Sequence, residues 1–301
     1  MKKRIVFIIS VLFLLAGCGK TEYTNEVVIE IPGVEREYDF FVLNDMHFFI
    51  GDDEVDMDYN ALVCERINQF SLDGVPAAQN FEKWISELDT RHLDGIILNG
   101  DIIDQLSFAN LDHVRKCMEG VNIPWMYLQS DHDLACDWTN PSEEDFTNIA
   151  DIQEKMNLNQ GIYFFEEDEF VILGLNYSWM SISEETLSKI KNVWALGKPV
   201  ILISHVPFEQ KESLELSDIS KELKNGQSLL WGYDDYYYPN EYMAEFMNMI
   251  YAEDSPIVAV ISAHLHTAYE GMLDEKTPVY ILDTGYGGTK TLLRIVDSTE
   301  K

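Results

Sequence analysis

GIILNGDIID, residues 95–104, is a short apolar run of isoleucine and leucine that leads straight into acidic residues. Branched apolar residues bounded by glycine and asparagine predict a β-strand. In open α/β sheets, functional sites lie beyond the carboxyl ends of the strands. The segment therefore predicts a strand of an α/β sheet, with Asp101 and Asp104 at a candidate site where that strand ends.

Similar apolar runs recur on both sides of this segment, and amphipathic stretches separate them. The predicted strands are rich in Val, Ile, Phe and Tyr and comprise YDFFVLN, GIILNG, IPWMYLQ, GIYFF, EFVILGLN, PVILIS, PIVAVISA, PVYILDT and LLRIVD. Helices are predicted where apolar residues recur at three- and four-residue spacing, over residues 77–90, 108–119, 143–156, 183–191 and 241–252. This alternation of strands and helices predicts an α/β fold. No composition shift marks a second domain.

Five of the predicted strands end in acids and histidines. FFVLN runs into Asp45 and His47, GIILNG into Asp101 and Asp104, WMYLQS into Asp131, His132 and Asp133, VILIS into His205, and VAVISA into His264 and His266. Of the 7 histidines in the chain, only His92 and His113 lie elsewhere, in predicted helical surroundings, where surface or packing roles are expected. A single strand-end histidine is commonly a hydrogen-bonded structural residue, but this grouping predicts a metal site.

The mixture of ligands indicates which metals to expect. Imidazole and carboxylate together suit Mn, Zn, Fe or Ni better than Ca, which prefers a shell of oxygen atoms. Alternate residues on an extended strand end point the same way, so Asp45 and His47 are predicted to reach one ion, and His264 and His266 have the same spacing. Because one carboxylate can bridge two ions, the pattern predicts a centre for two divalent or transition-metal ions.

The ordered motifs D-x-H, G-D-x-x-D, an N-H-D-like segment, a lone histidine and a G-H-x-H-like segment resemble those of the calcineurin-like metallophosphoesterase superfamily. The resemblance extends from Asp45 to His266. It implies an α/β fold in which two mixed β-sheets, flanked by α-helices, form four α/β/β/α layers. It also implies a hydrolase that cleaves a phosphate mono- or diester by attack of a hydroxide held at a two-metal centre.

The same resemblance implies roles for individual residues. Asp45, His47 and His266 would bind the first metal ion, Asp131, His205 and His264 would bind the second, and Asp101 would bridge the two. His132 would act as general acid near the leaving group, and Asp133 would orient it. Asp104 matches a motif position but is expected to support the site from outside the ligand set.

Three residues depart from the family pattern. Ala263 stands where glycine is usual, Gln105 stands where the protein serine/threonine phosphatase branch has arginine, and Asp131 stands where asparagine is usual. Gln105 and Asp131 together argue against that branch. Asp131 also adds a carboxylate to the ligand set, which predicts tighter metal binding and weaker Lewis acidity than asparagine would give.

Two alternatives to a hydrolase of small phosphoesters remain. One is a weakly active or inactive metal-binding surface lipoprotein of the same fold, with which Asp131 is compatible. The other is a nuclease, but the formal net charge of −32 repels polyanions, so nucleic acid is not an expected partner. The expected substrate is a small phosphoester, and no protein partner is inferred.

WGYDDYYYPNEY, residues 231–242, lies between the last two site motifs and is dense in aromatic residues. It could form a wall that stacks on a base, a sugar or an aryl leaving group, or it could be a packed surface loop. Composition alone favours neither interpretation.

The N-terminus predicts export and anchoring. MKKR is basic, and the apolar run IVFIISVLFLLA, 12 residues long and interrupted only by Ser10, is too short for a comfortable membrane span but suits a signal peptide. LLAGC, which ends at Cys18, resembles a bacterial lipobox, and this implies removal of residues 1–17 and acylation of Cys18. We expect a tether over residues 18–34 and one catalytic domain over residues 35–301, held on the outer face of a bacterial membrane.

Overall fold

A computed structural model describes residues 22–50, 57–136, 139, 141–177, 181–233 and 235–298. The predicted signal peptide and Cys18 lie outside the described residues. Within the part of the chain that is described, no helix combines the length and the apolar character that a membrane span requires.

Two β-sheets dominate the structure. The first contains β1 (Asn25–Glu30), β2 (Tyr38–Leu43), β5 (Gly95–Asn99), β6 (Trp125–Leu128) and β13 (Thr291–Val296), in the order β1-β13-β2-β5-β6. The second contains β7 (Ile162–Glu166), β8 (Val171–Leu175), β9 (Val200–Ser204), β10 (Ile257–Ser262), β11 (Tyr269–Met272) and β12 (Pro278–Ile281), in the order β11-β12-β10-β9-β8-β7. Both sheets are mixed, because β13 runs antiparallel to β2, β7 to β8 and β11 to β12. A small hairpin pairs β3 (Ser71–Leu72) with β4 (Val75–Pro76).

The helices connect the strands and cover the sheets. They are α1 (Met57–Gln69), α2 (Ala77–Ser86), α3 (Phe108–Met118), α4 (Asp131–Leu134), α5 (Glu143–Lys155), α6 (Glu184–Trp194), α7 (Glu215–Leu223) and α8 (Glu241–Ile250), with a 3-10 turn at Thr90–His92. Side chains preceding α3, α5, α6 and α8 each accept a hydrogen bond from a backbone N–H of the first helical turn, which satisfies a donor that the helix leaves unpaired. These residues are Ser107, Ser142, Ser183 and Asn240.

Alternation along the strands builds three layers of apolar contact. In β2, Phe40 packs between the sheets while Phe41 packs against the helices of the first sheet. In β9, Ile203 packs between the sheets while Leu202 faces the helices of the second sheet. Successive strand residues point to opposite faces, so each sheet buries both of its faces. The fold is therefore an α/β/β/α sandwich of two mixed sheets, and the predicted fold class is confirmed.

The prediction of a tether over residues 18–34 is wrong from Asn25 onward. Residues Asn25–Glu30 form β1, which pairs in parallel with β13, so that Asn25 lies opposite Thr291. Val27 and Ile29 are buried in the core between the sheets. The domain therefore begins before Glu35, and its edge strand is held by the other end of the chain.

Candidate metal centre

The polar motifs follow the carboxyl ends of β2, β5, β6, β9 and β10, and the two sheets bring these ends together. Asp45, His47, Asp101 and His266 form one group whose potential ligand atoms all lie within 4.8 Å of one another. The Nε2 atom of His266 lies 3.3 Å from Asp45 Oδ1 and 3.0 Å from His47 Nε2. These are the residues that the family resemblance assigned to the first metal ion, together with the expected bridge Asp101.

A second group lies beside the first and contains Asp101, Asp131, His205 and His264, again with ligand atoms within 4.8 Å. His205 Nε2 lies 3.1 Å from Asp101 Oδ2. Asp101 belongs to both groups and is almost fully buried. Its Oδ2 lies 3.5 Å from His47 Nε2 and 3.1 Å from His205 Nε2, so this carboxylate oxygen lies between the two groups, where it could bridge two ions. The grouping matches the predicted second set.

The donor atoms of these residues fit metal ions. Within the described residues, buried atoms without a hydrogen-bond partner include Asp131 Oδ1 and both ring nitrogens of His264. A buried polar atom without a partner costs free energy. Divalent cations would provide partners for a cluster of oxygen and imidazole nitrogen atoms such as this.

The backbone around these ligands is not extended, contrary to the geometry inferred from sequence. Asp45, His47, Asp101, His264 and His266 have φ angles of 44°, 45°, 50°, 70° and 57°. Residues other than glycine rarely adopt this left-handed backbone conformation. Those that do are concentrated at functional sites. The turns after the strands aim the side chains, so the two histidines of H-x-H separate into different ligand groups.

Gly100 lets two motifs approach closely. Its φ is 78°, and a Cβ atom at this position would lie 2.4 Å from His205 Nδ1. That nitrogen lies 2.7 Å from the carbonyl oxygen of Asn99. A donated Nδ1–H at this contact leaves His205 Nε2 free for a metal ion.

The orienting partner predicted for His132 is wrong. Asp133 accepts hydrogen bonds from the backbone N–H groups of residues 101–103, at 2.8 to 3.0 Å, and from the hydroxyl of Tyr127. His132 and Asp133 are consecutive in α4, and successive helical side chains point about 100° apart. Asp133 therefore braces the loop that carries Asp101, while His132 faces the site.

Asp104 is the acid that holds His132. The Nδ1 atom of His132 lies 3.2 Å from Asp104 Oδ1 and 3.1 Å from the carbonyl oxygen of Asp104. Burial opposes protonation of the imidazole, but the charge of Asp101 and the hydrogen bond with Asp104 outweigh it and raise the pKa of His132 to about 10. Because Nδ1 is held by Asp104, the proton on Nε2 is the one available to a leaving group.

Arg66 completes this arrangement and was not found from sequence, because no helix was predicted over α1. Its guanidinium donates to both oxygens of Asp104, at 2.7 and 2.5 Å. Burial raises the pKa of Asp104, but its hydrogen bonds with Arg66, His132 and His47 hold that pKa well below its usual value. A third group of potential ligands contains His47, Asp104 and His132, whose ligand atoms lie within 4.8 Å of one another. Asp104 in this group is already bound to Arg66.

The aromatic segment of residues 231–242 contributes to the site directly. The hydroxyl of Tyr237 donates a hydrogen bond to Asp131 Oδ2 at 2.9 Å, and its ring lies edge-on to His264. Tyr237 and Trp231 are buried, whereas Tyr236 and Tyr238 are exposed. Part of the segment is therefore packed against the site, and part of it is exposed on the surface.

A cavity of about 370 Å³ lies beside α4. Its lining includes Gln129 and Leu134, which flank the Asp131–Asp133 motif, and Tyr177, whose ring contacts that of Tyr237. All of the described lining residues are uncharged: Gln129, Leu134, Gln153, Leu158, Asn159, Gln160, Gly161, Asn176, Tyr177, Ser181, Ile182, Ser183 and Thr186.

The remaining histidines lie where the sequence placed them. His92 is exposed in the 3-10 turn. His113 packs against the rings of Phe48 and Phe81, and its Nε2 lies 3.3 Å from the carbonyl oxygen of Ala78.

The fold and the two ligand groups together define an α/β/β/α protein with a candidate two-metal centre. No protein-family model matches the sequence, and no curated protein matches it. Similar solved structures include a dimetal phosphatase from Danio rerio, with 12% identity over 82% of this chain and 87% of that chain and a TM-score of 0.47. Phosphopantetheinyl hydrolase from Mycobacterium tuberculosis has 10% identity over 83% of this chain and 91% of that chain, with a TM-score of 0.41. Vps29 from Chaetomium thermophilum has 10% identity over 59% of this chain and 67% of that chain, with a TM-score of 0.24.

Proposed function

We propose that this chain is a metal-dependent phosphoesterase that hydrolyses a phosphate mono- or diester, with His132 as general acid. The observation that carries the proposal is the position of Asp101, which is shared by two ligand groups and lies next to a histidine that belongs to neither group. When bound, two metal ions would polarise a phosphoryl oxygen and lower the pKa of water, which makes water a nucleophile at neutral pH.

The protein's own residues divide the remaining work. Asp45, His47 and His266 would hold one ion, Asp131, His205 and His264 would hold the other, and Asp101 would bridge them. His132 would give its Nε2 proton to the departing alcohol oxygen, since its Nδ1 faces Asp104. Asp104 would keep the ring in place, and Arg66 would keep Asp104 ionised.

A small ester with an uncharged alcohol group is the substrate that these surroundings favour. The cavity beside α4 presents neutral amides, hydroxyls and apolar groups, and its volume of about 370 Å³ is within the range of small-molecule sites. The formal net charge of −32 repels long polyanions. We therefore propose a small phosphoester rather than a nucleic acid.

Metal analysis combined with a substrate panel tests this function. Metal-free protein would be reloaded with Mn, Zn, Fe or Ni and assayed with chromogenic phosphomonoesters and diesters that carry neutral or charged alcohol groups. We expect turnover with at least one metal and a preference for neutral alcohol groups. A protein that binds two metal ions but turns over none of these esters would instead support the metal-binding lipoprotein, the alternative with which Asp131 is compatible.

We also propose that acyl chains on Cys18 anchor the protein outside the cytoplasm of a bacterium. The support is the basic, apolar and small-residue order of the N-terminus. Cells fed a labelled fatty acid should label the wild type and Cys64→Ala, whose cysteine is exposed in α1, but not Cys18→Ala. Equal labelling of Cys18→Ala would contradict the anchor.

A further inference from the structure

The two carboxylate oxygens of Asp131 lie in different surroundings. Oδ2 accepts the hydrogen bond from the Tyr237 hydroxyl at 2.9 Å. Oδ1 is buried and has no hydrogen-bond partner within the described residues. Oδ1 is therefore the oxygen left for a metal ion in the second ligand group.

We propose that Tyr237 is a positioning residue that makes Asp131 a one-oxygen metal ligand and thereby sets which metals the second ligand group accepts. The inference rests on the proposed two-metal function. An ionised carboxylate only accepts hydrogen bonds, so the Tyr237 hydroxyl must be the donor. By occupying Oδ2, the hydroxyl opposes coordination through both oxygens, and partners of this kind orient the ligand that they contact.

Packing holds the Tyr237 hydroxyl in place. The side chain is 1% exposed, and its ring lies 5.4 Å from that of His264 and 5.5 Å from that of Trp231. Trp231 is itself fully buried. Because the ring is enclosed, the hydroxyl cannot turn away from Asp131 without disturbing a metal ligand and the core beside it.

The hydrogen bond between Tyr237 and Asp131 also explains how the site can use aspartate at a position where the family that this sequence resembles usually has asparagine. An asparagine side chain has one carbonyl oxygen with which to bind a metal ion. With Oδ2 engaged by Tyr237, Asp131 likewise presents one oxygen. The chain would thus keep the number of donor atoms while adding a negative charge.

The consequence is a metal preference. Ca²⁺ takes six to eight oxygen ligands and readily uses a carboxylate through both oxygens. Zn²⁺ takes fewer ligands and combines imidazole with single carboxylate oxygens. A carboxylate limited to one oxygen therefore favours Zn²⁺ over Ca²⁺ in the group formed with Asp101, His205 and His264.

Titration calorimetry on the metal-free full-length protein in detergent tests the proposal with Zn²⁺ and Ca²⁺ separately. For Tyr237→Phe, we expect Zn²⁺ affinity in one binding step to fall about tenfold, as for other residues that support metal ligands, and Ca²⁺ affinity to be unchanged or higher. The matched control is Tyr236→Phe, which removes the hydroxyl of an exposed neighbour and should leave both affinities within about twofold of wild type.

The same substitution in an Asp131→Asn background separates positioning from packing. Asparagine cannot bind a metal ion through two oxygens, so adding Tyr237→Phe should change the Zn²⁺ to Ca²⁺ affinity ratio less than about threefold. Equal loss of both metals in Tyr237→Phe, or the same ratio change in both backgrounds, would overturn the proposal, as would failure of the wild type to bind Zn²⁺. Because binding is measured rather than turnover, a wild type that binds Zn²⁺ but hydrolyses no ester would refute only the phosphoesterase function.

Discussion

Replacing His132 with alanine is expected to lower kcat by about 10²–10⁴-fold and to leave metal binding nearly unchanged. His132 lies outside the two ligand groups that share Asp101, and its Nδ1 is held by Asp104. The variant loses the proton donor for the leaving group, while the residues that hold the metal ions remain. The measurements are steady-state kinetics with a chromogenic ester and metal content per chain.

The dependence on leaving group distinguishes an acid from a structural residue. Esters of acidic alcohols need little protonation, so they should lose less rate in His132→Ala than esters of poorly acidic alcohols. The control is His92→Ala, which changes an exposed histidine in the 3-10 turn. Equal losses for all leaving groups, or loss of a metal ion, would show that His132 is not the proton donor.

Replacing Asp101 with asparagine is expected to reduce bound metal from two ions to one or none per chain and to lower turnover by more than about 100-fold. Replacing a residue that only supports a metal ligand typically costs 10–100-fold in metal affinity or activity. Asp101 would itself be a ligand, so we expect a larger loss. It is the residue common to both ligand groups, and the neutral carbonyl oxygen of asparagine attracts cations less strongly than the charged oxygen of a carboxylate. Elemental analysis of reloaded protein, together with kinetics, measures both effects.

Unfolding must be separated from metal loss in this variant. Asparagine has nearly the shape of aspartate, but it loses the charge whose interactions with His205, His132 and His47 outweigh burial and hold the pKa of Asp101 well below its usual value. The metal-free variant should therefore still fold and unfold in one transition, at a temperature below that of metal-free wild type. Asp151→Asn, which changes an exposed acid paired with Lys155, is the matched control and should keep both ions. Two bound ions and a normal rate in Asp101→Asn would refute the bridging role.

Much of this architecture follows from local patterns. Each of the nine predicted apolar runs overlaps a strand, because alternation, branched residues and bounding turn residues are features of a few consecutive positions. The strand-end motifs marked the residues that the structure collects into the two ligand groups. Parallel strands place their carboxyl ends at one edge, so residues far apart in sequence could be grouped before their distances were known.

What the local pattern missed depends on contacts between distant residues. β1 pairs Asn25 with Thr291, Arg66 reaches Asp104 from 38 residues away, and Tyr237 reaches Asp131 across 106 residues. The positive φ angles of His264 and His266, which belong to different ligand groups, were likewise not predicted from the local sequence. The sequence by itself determined the fold class and the candidate ligands. Both follow from short-range apolar periodicity and from the polar and turn residues at the strand ends. Only the tertiary structure decided that Asp104 rather than Asp133 holds His132, and that Tyr237 leaves Asp131 one free oxygen, because helical phase and long-range packing set side-chain direction.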